Sequence, residues 1–96
     1  MTAQMSDDEI SDAVRTLEGW EREGDYLIRS VEADSFADGI KMVDAVAAVA
    51  DEREHHPDID IRYTTVNFAL STHSAGGITA NDIDLAREIS RIVDTS

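Results

Sequence analysis

Residues 58–71 read DIDIRYTTVNFALS, and this stretch decides the fold. Two isoleucines alternate with aspartates at its start, and Val66, Phe68 and Leu70 alternate with smaller or more polar residues at its end. Successive side chains of a β-strand point to opposite faces, so each run predicts a strand with one apolar face. The two strands together predict a β-hairpin.

A second hairpin is predicted earlier in the chain, over residues 20–33. Gly24-Asp25 supplies the turn, and Leu27, Arg29 and Val31 alternate with Ile28, Ser30 and Glu32 after it. Trp20 is expected to pack in the core or on the sheet, as is Tyr63 of the other hairpin.

Three helix starts are marked by Ser or Thr followed three residues later by an acidic residue, the pattern of a capping box. The pairs are Ser6 with Glu9, Ser35 with Asp38, and Thr79 with Asp82. The first helix should end at Gly19, and the second should fray by Glu54, because the residue before Pro57 disfavours helical conformation. Each helix is expected to carry an apolar stripe on one side. In the first helix the stripe is Ile10, Ala13, Val14 and Leu17, and in the third it is Ile83, Ala86, Ile89 and Val93. In the second helix it is Phe36, Ile40, Val43, Ala47 and Ala50, and Val46 and Val49 widen it.

The predicted order of elements is α-ββ-α-ββ-α. Two hairpins with segregated helices predict an α+β fold, a two-layer sandwich in which an antiparallel four-stranded sheet carries its helices on one face. A chain of 96 residues supports one core, so we expect a single domain over residues 1–96.

The composition excludes several classes of protein. Cysteine is absent, which leaves neither a disulfide framework nor a thiol nucleophile. No stretch approaches the roughly 18 apolar residues of a membrane span, and the acidic N-terminus does not resemble a signal peptide, so we expect no membrane partner and a cytoplasmic location. The net charge is −13 and Lys41 is the only lysine, which argues against binding to nucleic acid.

The acidic residues are spread along the whole chain rather than gathered in a tail. In dilute buffer such a charge destabilises the compact state by self-repulsion, and at about 1 M salt the Debye length of ~3 Å screens it. We therefore hypothesise a halophilic protein from a salt-rich cytoplasm, with an ordinary acidic, soluble protein as the alternative.

All three histidines lie between Asp51 and Asp82, just after a predicted helix end or strand end. Imidazole has an unperturbed pKa of about 6.5, so three of them beside carboxylates predict general acid–base catalysis. Asp51 lies one helical turn before His55 and is expected to orient it, and Asp82 caps the last helix. By strand alternation His73 should share a face with Asn67, Ala69 and Ser71.

Two other interpretations of the histidines remain open. Any single one of them is most simply a surface residue without a chemical role. A zinc site built from His55, His56, His73 and Asp51 is weaker, because adjacent histidines point apart and no His-x-x-x-His pair is present.

The spacing of the polar residues resembles the signature of the pterin-4a-carbinolamine dehydratases. It reads Asp51-x3-His55-His56-Pro57-x5-Tyr63-x9-His73-x8-Asp82. The flanking sequences agree, with Gly19-Trp20 before the first hairpin, Leu70-Ser71-Thr72-His73 at the end of the last strand, and Gly77-Ile78-Thr79 and Asp82-Ile83-Asp84-Leu85-Ala86 leading into the last helix. The resemblance covers nearly the whole chain in order.

The resemblance implies dehydration of 4a-hydroxytetrahydropterin to quinonoid dihydropterin, a step in recycling the tetrahydrobiopterin of aromatic amino acid hydroxylases. It implies no metal and no organic cofactor. It gives His55 and His73 the acid and base roles, interchangeably, and His56 mainly substrate binding. Asp82 would orient a histidine or bind the pterin, and the backbone of Ser71, Thr72 and His73 would hold the pterin edge.

Family members assemble through their sheets into dimers, and some of these into dimers of dimers, so a homodimer or homotetramer is expected. An aromatic amino acid hydroxylase would be a functional partner. The sequence departs from many relatives at Asp51, a shorter acid than their Glu, and at Ile59, where some carry an aromatic residue. The alternative function is a non-catalytic binding or assembly module on the same fold, which loss of a motif histidine would favour.

Overall fold

The computed structural model describes residues 3–95 as three helices on a four-stranded antiparallel sheet, with the strands in the order β1-β2-β4-β3. This confirms the predicted α+β sandwich and its order of elements. The elements are α1 (Asp7–Val14), β1 (Glu21–Glu23), β2 (Tyr26–Glu32), α2 (Phe36–Arg53), β3 (Asp58–Arg62), β4 (Thr65–Leu70), a 3₁₀ turn (His73–Ala75) and α3 (Ala80–Asp94).

The central strands β2 and β4 bury one face of the sheet, as the alternation predicted. Leu27 lies opposite Leu70, and Val31 lies opposite Val66. These four side chains and Phe68 are at most 8% exposed. Both long helices lie on that face, since Gly39 of α2 lies against Val66 and Arg29 of β2 reaches Ser90 of α3. The opposite face, with Ile28, Ser30, Asn67 and Ala69, lines a cavity of about 530 Å³.

The capping pairs at the helix starts are confirmed. At α1 and α3 both halves of the capping box are present, with Ser6 paired to Glu9 and Thr79 paired to Asp82. At α2 the Ser35 hydroxyl accepts from the backbone N–H of Asp38. Such caps satisfy backbone donors that the first helical turn leaves without partners.

The predicted apolar stripe of α2 was right for Val46 and Ala50, which are buried, and wrong for Phe36 and Ala47. The buried residues are Gly39, Met42, Val46 and Ala50, whereas Phe36 is 52% exposed and Ala47 is also exposed. The helix must face β4 and pack beside α3 at the same time, so its most buried side lies at one edge of the predicted stripe, where Met42 joins Val46 and Ala50. Because α2 is apolar on both sides, periodicity alone could not select the buried one.

Helix α1 is shorter than predicted, ending at Val14 instead of running to Gly19. Tighter turns follow, in which the N–H of Thr16 donates to Ala13 and that of Leu17 to Val14, each at 3.0 Å. Leu17 and Trp20 are nevertheless buried, each at 4% exposure, as the stripe and the core packing of Trp20 predicted. Within residues 3–95 no helix combines the length and apolarity needed to cross a membrane.

Candidate active site

His55 lies just past the end of α2, where the chain turns sharply. Glu54 adopts the left-handed conformation with φ 53°, and the N–H of His55 donates back to the carbonyl of Ala50 at 3.1 Å. This turn is a common way to close a helix end, although glycine usually occupies its left-handed position. Beyond this turn, Nε2 of His55 lies 2.5 Å from Oδ1 of Asp82 at the start of α3.

Asp82 is fully buried and its carboxylate receives several hydrogen bonds. Oδ2 accepts from the Thr72 hydroxyl at 2.8 Å and from the backbone N–H of Thr79 at 2.9 Å. Oδ1 forms its hydrogen bond with Nε2 of His55, whose side chain is 16% exposed. Since both donors on the Thr72 and Thr79 side bind Oδ2, an ionised Asp82 accepts the hydrogen bond with His55 at Oδ1, and the proton of that bond is then on Nε2. The second ring nitrogen, Nδ1, then presents a lone pair in the neutral imidazole.

His73 lies on a tight turn that follows β4. The backbone of Thr72 pairs with Gly77, with N–H to O distances of 2.9 and 3.4 Å, and the N–H of Gly76 donates to His73 at 3.1 Å. The exposed ring of His73 contacts Tyr26 edge-on, with 6.2 Å between ring centroids. Since Thr72 also bonds Asp82, this turn and His55 are attached to the same carboxylate.

Gln4 and Met5, near the N-terminus, form hydrogen bonds with the segment that contains and follows the turn of His73. The side-chain amide of Gln4 donates to the carbonyl of Gly76 at 3.1 Å, and the N–H of Met5 donates to Ile78 at 2.9 Å. Gly77 faces the Gln4 side chain so closely that any Cβ there would overlap it. Glycine at position 77 therefore leaves room for the Gln4 amide, and a larger residue there would have to displace this exposed side chain.

His56 and Asp51 form a separate pair at the surface, with 2.8 Å between Nε2 and Oδ1. Their side chains are 62% and 79% exposed, so the pair adds little to stability. The expectation that Asp51 orients His55 was wrong: Asp51 contacts His56, and Asp82 contacts His55. The left-handed Glu54 ends the helical register before His55, so the i, i+4 relation no longer brings the two side chains together.

Three further expectations need correction. Strand β4 ends at Leu70 and a 3₁₀ turn begins at His73, so strand alternation does not set the direction of His73. Both backbone groups of Thr72 are bonded to Gly77, which leaves neither for a ligand edge, whereas the same role for the backbone of Ser71 and His73 stays a prediction. Tyr63 is 81% exposed in the β3–β4 turn, at the opposite end of β3 from the histidine pair, so it packs neither in the core nor at the site.

The structure thus links His55, Asp82 and Thr72 directly, with the buried Ser71 and the exposed His73 on either side of Thr72 in the chain. His56 and Asp51 lie beside His55. Two cavities, of about 530 and 440 Å³, are lined by other residues and contain none of the histidines. Among residues 3–95, no three His, Asp or Glu side chains converge as a metal-holding group.

Sequence reasoning missed three contributors. Thr79 was identified only as a helix cap, yet its fully buried hydroxyl also lies 2.7 Å from that of Thr72. Its capping-box signal marked the residue without showing this second contact. Gln4 and Tyr26 gave no signal, because their contacts join residues far apart in the chain.

The sequence is similar to a known protein family and to several of its members. A sequence profile described as "Pterin 4 alpha carbinolamine dehydratase" matches residues 3–92. A protein of Nocardia farcinica is 53% identical over 95% of this chain and 96% of its own length. One of Mycobacterium avium is 54% identical over 95% of this chain and 97% of its own. Both carry the name pterin-4-alpha-carbinolamine dehydratase as a provisional assignment.

Two solved structures share the fold. A protein of Brucella melitensis described as a transcriptional coactivator/pterin dehydratase superimposes with a TM-score of 0.90 and 29% identity, over 94% of this chain and 98% of that one. A pterin dehydratase-like protein described as a RuBisCO assembly factor in the alpha-carboxysome has a TM-score of 0.69 and 24% identity, over 82% of this chain and 94% of its own. At that identity the second likeness concerns the fold alone.

Proposed function

We propose that this chain, which belongs to the pterin-4a-carbinolamine dehydratase family, is a hydro-lyase that converts 4a-hydroxytetrahydropterin into quinonoid dihydropterin and water. The observation that carries the proposal is the pairing of His55 with the fully buried Asp82. A buried carboxylate is costly to desolvate, and an apolar residue would serve packing better. Such a pair is therefore typical of a site where a histidine must be held in one orientation.

The reaction requires one proton to be delivered and one to be removed. An acid protonates the hydroxyl on C4a, the C4a–O bond breaks, and water leaves. A base removes the proton from N5, whose bonding electrons form the N5=C4a double bond. No electron acceptor or donor is needed, and each positioned proton-transfer group contributes roughly 10²–10⁴-fold.

Three histidines can supply these proton transfers. Nδ1 of His55 is the ring nitrogen turned away from Asp82, and the exposed His73 ring lies on the neighbouring turn. We assign these two the acid and base roles, and the largely exposed His56 the binding of substrate, with Asp51 orienting it. Ser71, adjacent to Thr72, would contribute to pterin binding.

A stopped-flow dehydration assay in molar KCl with chelator tests the proposal. We expect saturable acceleration by the wild type and a loss of about 10²-fold or more in His55→Ala and His73→Ala. Tyr63→Phe is the matched control, because this ring is exposed at the far end of the β3–β4 hairpin. If the folded wild type gives no acceleration, the function is a binding or assembly module instead.

We also propose that the chain acts in the cytoplasm as a homodimer or homotetramer, on substrate supplied by an aromatic amino acid hydroxylase. The exposed Phe36 and Ala47 on α2 and the unpaired edge of β3 support self-association. Sedimentation in molar KCl should give a multiple of 10.5 kDa, and a monomer at every concentration would exclude assembly. Acceleration of a hydroxylase-coupled assay tests the functional partner.

A further inference from the structure

Two buried hydroxyl groups connect the segments that carry His55 and His73. The Thr79 hydroxyl lies 2.7 Å from the Thr72 hydroxyl, and Thr72 donates to Asp82 at 2.8 Å. Thr79 is fully buried and Thr72 is 8% exposed. Water therefore has little access to replace either bond.

The direction of these hydrogen bonds follows from counting protons. Each hydroxyl has one proton and can accept as well. Thr72 gives its proton to Oδ2 of Asp82, so the bond between the hydroxyls must be donated by Thr79. Thr79 in turn accepts from the backbone N–H of Asn81 at 3.2 Å. The sequence of donors thus runs from the start of α3, through Thr79 and Thr72, to the carboxylate that holds His55.

Thr79 also contacts Asp82 directly, through its backbone N–H at 2.9 Å. It is therefore bonded on one side to the residue that holds His55 and on the other to the residue immediately before His73. A residue that only capped α3 would make the two contacts of the capping box, and the bond to the Thr72 hydroxyl is additional to them.

We propose that Thr79 is a positioning residue: it does not touch substrate, and it fixes the placement of His55 relative to His73 through Asp82 and Thr72. The catalytic consequence rests on the proposed function, whereas the placement of the two rings is a property of the folded chain. Misplacing a reacting group by about 1 Å can cost on the order of 10²-fold in rate. Removal of the Thr79 hydroxyl should therefore lower kcat about tenfold to a hundredfold, and should leave KM within about twofold because ground-state contacts persist.

The test compares Thr79→Val, which removes the hydroxyl at nearly constant volume, with Thr79→Ser, which retains it. Ser35→Ala is the matched control, because it removes the same kind of cap from α2, whose 18 residues separate Ser35 from His55 by roughly 27 Å. Imidazole ¹H–¹⁵N resonances of both histidines are recorded together with kcat and KM.

We expect Thr79→Val to shift the resonances of His55 and His73 together, Thr79→Ser to restore most of both, and Ser35→Ala to shift neither. Thr72→Val interrupts the same connection with the α3 cap intact, and serves if Thr79→Val does not fold. Unchanged resonances in a folded Thr79→Val, or an equal loss of kcat in Ser35→Ala, would overturn the proposal. Shifted resonances in a protein without dehydratase activity would refute the proposed function and leave the positioning role supported.

Discussion

Replacement of Asp82 by asparagine separates the charge of this side chain from its shape. Only one orientation of the amide fits, because its carbonyl must accept from the Thr72 hydroxyl and the Thr79 N–H, which leaves the NH₂ group facing Nε2 of His55. Three charge-assisted hydrogen bonds then become neutral ones, each weaker by about 1 kcal/mol. The desolvation penalty of a buried carboxylate, several kcal/mol, is removed at the same time.

These two effects nearly cancel, so we expect Asp82→Asn to change the free energy of unfolding by no more than about 2 kcal/mol. Asp82→Ala differs, because it leaves the Thr72 hydroxyl and the Thr79 N–H buried without an acceptor. At about 1–3 kcal/mol for each group, this variant should lose about 2–6 kcal/mol and at least about 8 °C in Tm.

The activity of Asp82→Asn should fall far more than its stability. An NH₂ group facing Nε2 forces that nitrogen to accept and moves the imidazole proton to Nδ1, which inverts the tautomer of His55. We expect kcat to fall by roughly 10²–10⁴-fold, the usual range for loss of a proton-transfer group. Urea unfolding and stopped-flow assays measure both quantities. A wild-type kcat in Asp82→Asn, or equal destabilisation by Asn and Ala, would refute the reasoning.

Three further predictions concern the rest of the molecule. Glu54→Gly should raise the free energy of unfolding by about 0.5–1 kcal/mol in urea titrations, because glycine relieves the left-handed conformation at φ 53°; a loss of stability would contradict this. Hydrogen bonds from the backbone and hydroxyl of Ser6 lower the pKa of Glu9 below 4.5. The stabilising contribution of Glu9 is therefore complete above pH 4.5 and disappears as the pH falls through the lowered pKa. In Glu9→Gln the free energy of unfolding should depend less on pH below 4.5. With a net charge of −13, the chain should gain stability between about 0.1 and 1 M KCl as screening lengths shorten from ~10 to ~3 Å, and no gain would dismiss the halophilic hypothesis.

The elements of the fold could be predicted because their signals are local. Alternation in Val66, Phe68 and Leu70 and the cap at Thr79 each depend on a few neighbouring residues, and the structure confirms them. The buried side of α2 could be predicted only in part, since the choice between Met42 and Phe36 depends on where β4 and α3 lie.

In the candidate site, too, features set by neighbouring residues could be predicted, whereas contacts between distant residues could not. Its histidines and acids stand out as residue types, but their pairing depends on the turn at Glu54, after which His55 pairs with Asp82 and Asp51 pairs with His56. A left-handed glutamate carries no sequence signal, because glycine or asparagine normally marks that conformation. The contact of Gln4 with Gly76 spans 72 positions, and no local pattern reports such a contact.

Trp20 is the only tryptophan of the chain, and its indole N–H donates to Ser90 of α3 at 2.9 Å. That helix begins with the cap that carries Asp82, so the indole lies against the element on which the site depends. An indole that is 4% exposed emits at shorter wavelength than one in water, and separation of α3 from the first hairpin would shift its emission to the red. The emission wavelength of Trp20 can therefore be used to follow the packing of α3 against the rest of the protein, without any attached label.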